Sequence, residues 1–503
     1  MKNKNFITLL IGATFILCTF NLCTDVKEAK DIANDQVNKA KEFISTTADS
    51  GKTCQCIGPN SLDGITINFN STVPGDITTF NQNNADCFAW QEFISLNWPT
   101  GTNTNFGDPG DLSFVQWEGY MPKDVLMPPN GAAPPPWGTT LVADHHVDKF
   151  KKSNLALNPK ETKLLFSSSK FGSKDTLTGM DIHQAAPFKG PNWLGAQNNT
   201  NVWYEILVNE DHYNFINNNG YYNAAVQHDS VKAGVPINFP KGSVNGPVGA
   251  IELKAAWMEI DDPSNTQKWN RYKLSKAVVQ DPTTGQLRNT IVALVGLHIL
   301  HKTENQPTWV WATFEQIDNV PGSSSPPDGY NFHNPNCTSK TVNLSGGSTA
   351  TVNCTVNTSP PYHLNLAAPV PIQITRQNPI DPSSAAPINQ LMQKNIKNLY
   401  SNSVWQYYQL VDVIWSATSQ PDPTQPIQSP RNINVSAMQS GGNIVANTTL
   451  ESYAQTTTCY QCHVGSTIAP FPPDTKNDKV FGDFSFVIGA AKYDQTKFNT
   501  INK

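Results

Sequence analysis

Apolar residues recur every three and four positions through 25–46. Val26, Ala29, Ala33, Val37, Ala40 and Ile44 are separated there by Lys, Asp and Glu. This spacing predicts an amphipathic helix, read as a stalk or an element docked on the body. Residues 86–96 predict a shorter helix with Phe88, Phe93 and Leu96 on one side and Pro99 as its stop. From 100 to 200 the pattern gives way to Pro, Gly and Asn, including Pro134-Pro135-Pro136-Trp137. Long surface loops with short strands are expected there, of the kind that often wall a site.

Strand patterns are clearest between 200 and 320. Val202–Val208 is a short apolar and aromatic run, and 291–300 is almost wholly apolar, as in a central buried strand. Ile251, Leu253, Ala255 and Trp257 alternate with Glu252 and Lys254, which predicts a half-exposed strand. Residues 308–314 place Trp309 and Trp311 on one face. Several strands close together, with no long helical pattern between most of them, favour an antiparallel sheet. Further on, 341–356 predicts a hairpin around Ser345-Gly346-Gly347-Ser348. Residues 386–399 predict a helix with Ile388, Leu391, Met392 and Ile396 inward, and 404–415 a strand. The Pro-rich stretch 420–430 predicts a linker, and Asp483 a helix cap with Phe484, Val487, Ile488 and Ala491 on one face, suited to cover a flat apolar group or to pack on the body.

Composition changes this picture little. Charged residues are 15% of 503, with 37 Pro and 31 Gly, which favours strands and ordered loops over helix bundles. Twelve Trp and 23 Phe exclude a disordered chain. The net charge of −5, with no basic run, argues against nucleic acid as a partner. The N-terminus reads as an export signal, with Lys2 and Lys4 ahead of an apolar run from 6 to 20. Whether it is cleaved, lipidated at Cys18 or Cys23, or kept as a membrane anchor stays open. In an oxidising compartment Cys337 and Cys354 are expected to pair across the hairpin, and Cys87 with Cys54 or Cys56, leaving one thiol over.

Against this background Cys459-Tyr460-Gln461-Cys462-His463 stands out. On a helix, positions i, i+3 and i+4 share a face, so two thiols can bond the edge of a porphyrin while the imidazole turns under it to meet iron. Thr448-Thr449-Leu450-Glu451 has the form of a capping box for such a helix, Gly465 could end it, and Thr456-Thr457-Thr458 could break it. A redox CxxC needs no following His. A zinc site needs further ligands, and 464–503 contain no Cys and no His. Asp144-His145-His146 reads as a solvated loop, because adjacent side chains diverge and no further ligand stands at the right spacing. The Trp pairs read as core.

The five residues from Cys459 to His463 resemble the haem-attachment motif of the cytochrome c superfamily. More widely the chain resembles long, single-haem bacterial proteins of the cytochrome c family. That wider likeness lies in 447–453, in Asp483-Phe484-Ser485-Phe486 and in 309–319. The resemblance implies one covalent haem c, with thioether bonds at Cys459 and Cys462 and His463 as the proximal iron ligand. It departs from small cytochromes c in that 464–503 hold neither Met nor His. Any sixth ligand must then come from upstream: His298 is the first candidate, Met438 the runner-up, and His212, His301 and the 144–146 loop are further choices.

The expected architecture is α+β, a large β-rich antiparallel body with a few helices and a short helical C-terminal haem c segment. Its divisions are a signal or anchor at 1–23, a helical stalk at 24–50, the body at 51–430 and the haem segment at 431–503. The expected function is an exported, periplasmic or envelope-associated haem oxidoreductase, peroxidase-like, acting on a small oxidant or substrate. The alternative is an electron-transfer protein that docks a redox partner, or a haem-stabilised scaffold. Membrane attachment would run through the N-terminus.

Overall fold

The computed structural model describes residues 23–24, 52–59, 64–101, 104–139, 162–165, 193–280, 287–322, 325–343, 347–359, 371–417, 438–439, 444–456, 459–472 and 480–494. Residues 1–22 of the signal at 1–23, the stalk helix, the 144–146 loop and the 420–430 linker lie outside these residues. Strands β1 (Cys23–Thr24), β2 (Lys52–Cys56) and β3 (Ile65–Phe69) form a small antiparallel sheet. Helix α1 (Gln82–Leu96) follows, capped by the Asn81 side chain accepting from the Asn84 amide. Next come β4 (Met121–Pro122), β5 (Thr162–Leu165) and β6 (Val202–Val208), then two short helices, α2 (Glu210–Asn218) and α3 (Ala224–Lys232). The long strands are β7 (Ile251–Glu259), β8 (Leu274–Gln280), β9 (Leu287–His301) and β10 (Val310–Gln316). The chain continues through β11 (Lys340–Asn343), β12 (Thr349–Val352), α4 (Ala385–Leu399), β13 (Tyr408–Ser416), β14 (Met438–Gln439) and the one-turn α5 (Cys459–His463).

Nine of these strands make one sheet, with the path β14-β13-β10-β9-β7-β6-β4 and with β5 and β8 attached beside β9. All its pairings are antiparallel except β5 with β8. The β-rich α+β architecture expected from the sequence is the one found. Alternation along each strand sends side chains to opposite faces. From β9 and β10, Leu297, Ile299, Val310, Ala312 and Phe314 face α1 and α4 and join one large core. Phe314 stacks on Phe93 at 4.3 Å and meets Trp90 edge-on at 5.1 Å. Four buried residues of α4 (Ala385, Ile388, Met392 and Ile396) join the same core, while Leu391 is only partly buried.

The other face receives the C-terminal segment. This overturns the half-exposed reading of β7, whose nine residues are all buried. Glu252 is covered because Ser485 Oγ donates to its carboxylate at 2.7 Å. Other expectations change too. Residues 404–407 form a 3₁₀ turn that buries Trp405 before β13 begins. No helix forms from the capping box at 448–451; these residues make turns, because their side chains bond the sheet. At 483 the chain makes a left-handed turn (φ 51° at Asp483, 65° at Phe484) and a single 3₁₀ turn, Ile488–Ala490, in place of a helix. Phe484, Val487, Ile488 and Ala491 are nonetheless all buried in one cluster with Tyr460 and Trp311.

Two disulfides are present among the described residues. Cys337–Cys354 crosses the base of the β11–β12 hairpin, as the sequence predicts, and Cys56–Cys87 ties β2 to α1. Cys54 is therefore the odd thiol of its pair, and burial pushes its pKa up to about 12.

Candidate functional site

Helix α5 is a single turn. Val464 N donates to the Tyr460 carbonyl at 2.9 Å, and Gly465 N and Ser466 N close three-residue turns onto the Cys462 and His463 carbonyls at 3.2 and 3.0 Å. Its short span suffices to place Cys459, Cys462 and His463 at i, i+3 and i+4. Tyr460 is fully buried and anchors the turn, with its ring 6.3 Å from Trp311 and 5.3 Å from Phe484. Cys459 and Cys462 are half-buried and take no part in either disulfide above.

His463 is 4% exposed, and its Nδ1 lies 2.7 Å from the Phe484 carbonyl oxygen. A carbonyl can only accept, so Nδ1 carries a proton and donates it to this oxygen. The ring is held edge-on by Trp311 at 4.7 Å and Phe486 at 4.9 Å. A tautomer fixed by a backbone acceptor, on a ring gripped by aromatics, is how a protein prepares an imidazole to ligate.

Two stretches hold this turn against the sheet. In the first, Asn447 Nδ2 donates to Thr313 Oγ1 at 3.0 Å and to the Phe314 carbonyl at 2.7 Å. Thr448 donates from both N and Oγ1 to Glu315 Oε2, at 3.1 and 2.8 Å, and Tyr204 Oη donates to the Thr449 carbonyl at 3.0 Å. Glu315 also pairs with Arg376. The segment lies so close to β9 that a Cβ on Gly296 would meet Thr449 Oγ1 at 2.2 Å; only glycine fits there. In the second stretch, Asp483 pairs with Lys302 and accepts the Phe239 amide at 2.8 Å. Gln227 of α3 donates to the Ile488 carbonyl and accepts the Ala469 amide, both at 2.9 Å. His228 Nε2 lies 2.9 Å from the Ala469 carbonyl.

The upstream histidines are distributed as follows. His298 lies on the face that carries the C-terminal segment, 3% exposed, with Nε2 3.3 Å from Glu451 Oε2, eight residues before Cys459. His301 is on the opposite face. Its Nδ1 is 2.5 Å from Glu92 and its Nε2 2.5 Å from the Val248 carbonyl. Burial pulls the His301 pKa down, but the neighbouring Glu92 outweighs it and holds the value above the usual histidine one. His212 on α2 is fully buried, and neither of its ring nitrogens has a hydrogen-bond partner. Burial lowers its pKa to about 3, so it is neutral. Each unmet buried group of this kind costs about 1–3 kcal/mol. Met438 stands opposite Ser416 at the edge of the sheet.

The sequence did not single out Gly296, Thr313 or Glu315 as supports of the motif. It did mark 309–319 and 483–486, which meet at the His463 ring through Trp311, Phe484 and Phe486, and 447–453, which bonds Thr313, Phe314 and Glu315 of the same strand. A cleft of about 520 Å³ opens between Pro129 and Asn130 on one side and Pro470, Pro472, Lys492 and Tyr493 on the other; none of the three motif side chains lines it. No helix among the described residues is long and apolar enough to cross a membrane. No family model, curated protein or solved structure matches the chain.

Proposed function

We propose that this chain is an exported c-type haem protein of the oxidoreductase kind. The observation that carries the reading is the turn Cys459–His463 itself, which sets two half-buried thiols and an imidazole oriented by the Phe484 carbonyl at i, i+3 and i+4. The donor set fits haem c: Cys459 and Cys462 would hold the porphyrin by thioether bonds, and His463 would take the proximal iron position. The group would supply one-electron chemistry at iron. The chain's own part is orientation and exclusion of water. Trp311 and Phe486 fix the imidazole plane, and Tyr460 and Phe484 close the turn from below. The Phe484 carbonyl makes His463 a stronger donor.

Two disulfides point to an oxidising compartment. Together with the N-terminal sequence they support the periplasm or cell envelope as its location, with attachment through the N-terminus as a further proposal. A small oxidant or substrate, or a redox partner protein, would meet the haem edge. The large sheet body exceeds what electron carriage alone requires, which favours the oxidoreductase over the carrier. The test is mass spectrometry of the protein made in a host with haem c maturation. Acid acetone should leave one haem on the peptide containing Cys459 and Cys462, and replacing both with Ala should abolish it. A double variant that still held haem covalently would sink the reading.

A further inference from the structure

We propose that Lys302 and Asn238 become joined by an isopeptide bond, with Asp483 as the proton carrier, a covalent modification independent of the haem reading. Lys302 follows β9 directly. Its Nζ donates to Asn238 Oδ1 at 2.8 Å and pairs with the Asp483 carboxylate. Asp483 Oδ2 also accepts the amide of Phe239, the residue after Asn238, so amine, carboxamide and carboxylate meet at one point. The Lys302 and Asp483 side chains are fully buried. Around them stand Phe239, Trp309 and Phe484, all of one apolar cluster, with Nζ 6.0 Å from the centre of the Trp309 ring. Burial in such surroundings disfavours both charges, and passing one proton from Nζ to Asp483 removes them together. The neutral amine that results is a nucleophile, which an ammonium is not.

Backbone strain gathers at the same place. Among the described residues, six other than glycine have positive φ, and three of these are asparagines, which tolerate it. The other three are Trp309 (69°), Asp483 (51°) and Phe484 (65°). All three lie at Lys302, and strain of this kind persists where the surrounding structure holds a site in a particular geometry.

The step needs no oxidant and no cofactor. Lys302 gives a proton to Asp483, and the Nζ lone pair adds to Asn238 Cγ. Asp483 protonates Nδ2 and takes the surplus proton from Nζ. The Cγ–Nδ2 bond breaks, and ammonia leaves with the proton held by Asp483, which ends as the carboxylate it was. Asn238 is only half-buried, which gives the ammonia a way out. Asn238 is the acceptor because its carboxamide leaves Asp483 free to move protons; Asp483 could not be acceptor and carrier at once. The bond would tie the end of β9 to the stretch ahead of β7, across a sequence separation of 64.

The experiment takes the full chain, reduces and digests it, and maps the peptides by tandem mass spectrometry. In wild type the peptides carrying Asn238 and Lys302 should run as one species, lighter than their sum by one ammonia. Asn238→Ala should lose that species, and Asp483→Ala, which keeps both partners, should lose it too. Separate, unmodified peptides in wild type would leave a buried ion pair only and overturn the proposal, whether or not the variants fold. A Lys302–Asp483 link formed with loss of water would overturn the choice of acceptor. A Lys302–Asn238 link persisting in Asp483→Ala would overturn the role of Asp483.

Discussion

Strand β10 meets two different environments. Val310, Ala312 and Phe314 press into α1 and α4, where contact is ring on ring and methyl on ring. Trp311, Thr313 and Glu315, alternating with them, meet an irregular C-terminal segment held by side chain to backbone hydrogen bonds. Apolar burial is non-directional and suits regular elements that bring a whole stripe to the core. Hydrogen bonds to a loop are directional and place single residues, which the proposed cofactor-bearing turn would need. The helical face therefore contributes chiefly non-directional burial, and the C-terminal face adds to its own apolar cluster the directional bonds that fix position.

The largest effect tests the helical face. Phe314→Ala leaves a cavity between Phe93 and Trp90 and should cost about 3–5 kcal/mol of global stability, read from the urea midpoint. Removing the Cys56–Cys87 bridge by double Ala substitution should cost about 3–4 kcal/mol, since it releases a loop with a sequence separation of 31. Neither change should alter how firmly the remaining folded molecules hold 444–494, as judged by amide exchange. Preferential loosening of that segment would break the division of labour.

On the polar face the expected loss is smaller and local. Thr448→Ala removes the hydroxyl bond to Glu315 and should cost about 1 kcal/mol. Amide exchange should quicken through 447–455 and α5 while α1 and α4 keep their rates. A uniform acceleration across the protein would show that the segment is part of the same cooperative unit.

The same contrast explains what could be read from the sequence. Helices at 86–96 and 386–399 and the strand at 291–300 were legible because their apolar spacing matches one period. The motif was legible because three reactive side chains stand in five residues. The turn at 483 was misread as a helix: Phe484, Val487, Ile488 and Ala491 have helical spacing, yet Asp483 is drawn to Lys302, 181 residues away. The capping box at 448–451 failed likewise, because Thr448 bonds Glu315. β7 looked half-exposed because Glu252 and Lys254 alternate with apolar residues, and only the fold reveals the cover above them. Gly296 carries no local sign that a second segment presses on it. Helices α2 and α3 are short and bury few apolar residues of their own, so no stripe announced them.

The effect that vanishes near pH 4 concerns a polar intruder on the helical face. Asp86 of α1 is fully buried beside Asp412 of β13, with Gln82 Nε2 donating to both, at 2.9 and 3.2 Å. Burial, reinforced by the neighbouring Asp412 charge, raises the Asp86 pKa well above the usual carboxylate value, and the Gln82 bond only partly offsets it. The folded protein then binds a proton at Asp86 that the unfolded chain releases near 3.8. By linkage this contribution to stability is complete below about 3.8 and is lost as pH rises from there through the folded value. Asp86→Asn keeps the shape without the titration. It should match wild type near pH 4 and become the more stable of the two as pH climbs to 8, with the gap widening steadily in urea midpoints. Stability already differing at pH 4, with a gap that stays constant to pH 8, would mean that the Asp86 proton is not linked to folding. The Asp86 and Asp412 carboxylates would then be accommodated as charges within the face that otherwise excludes them.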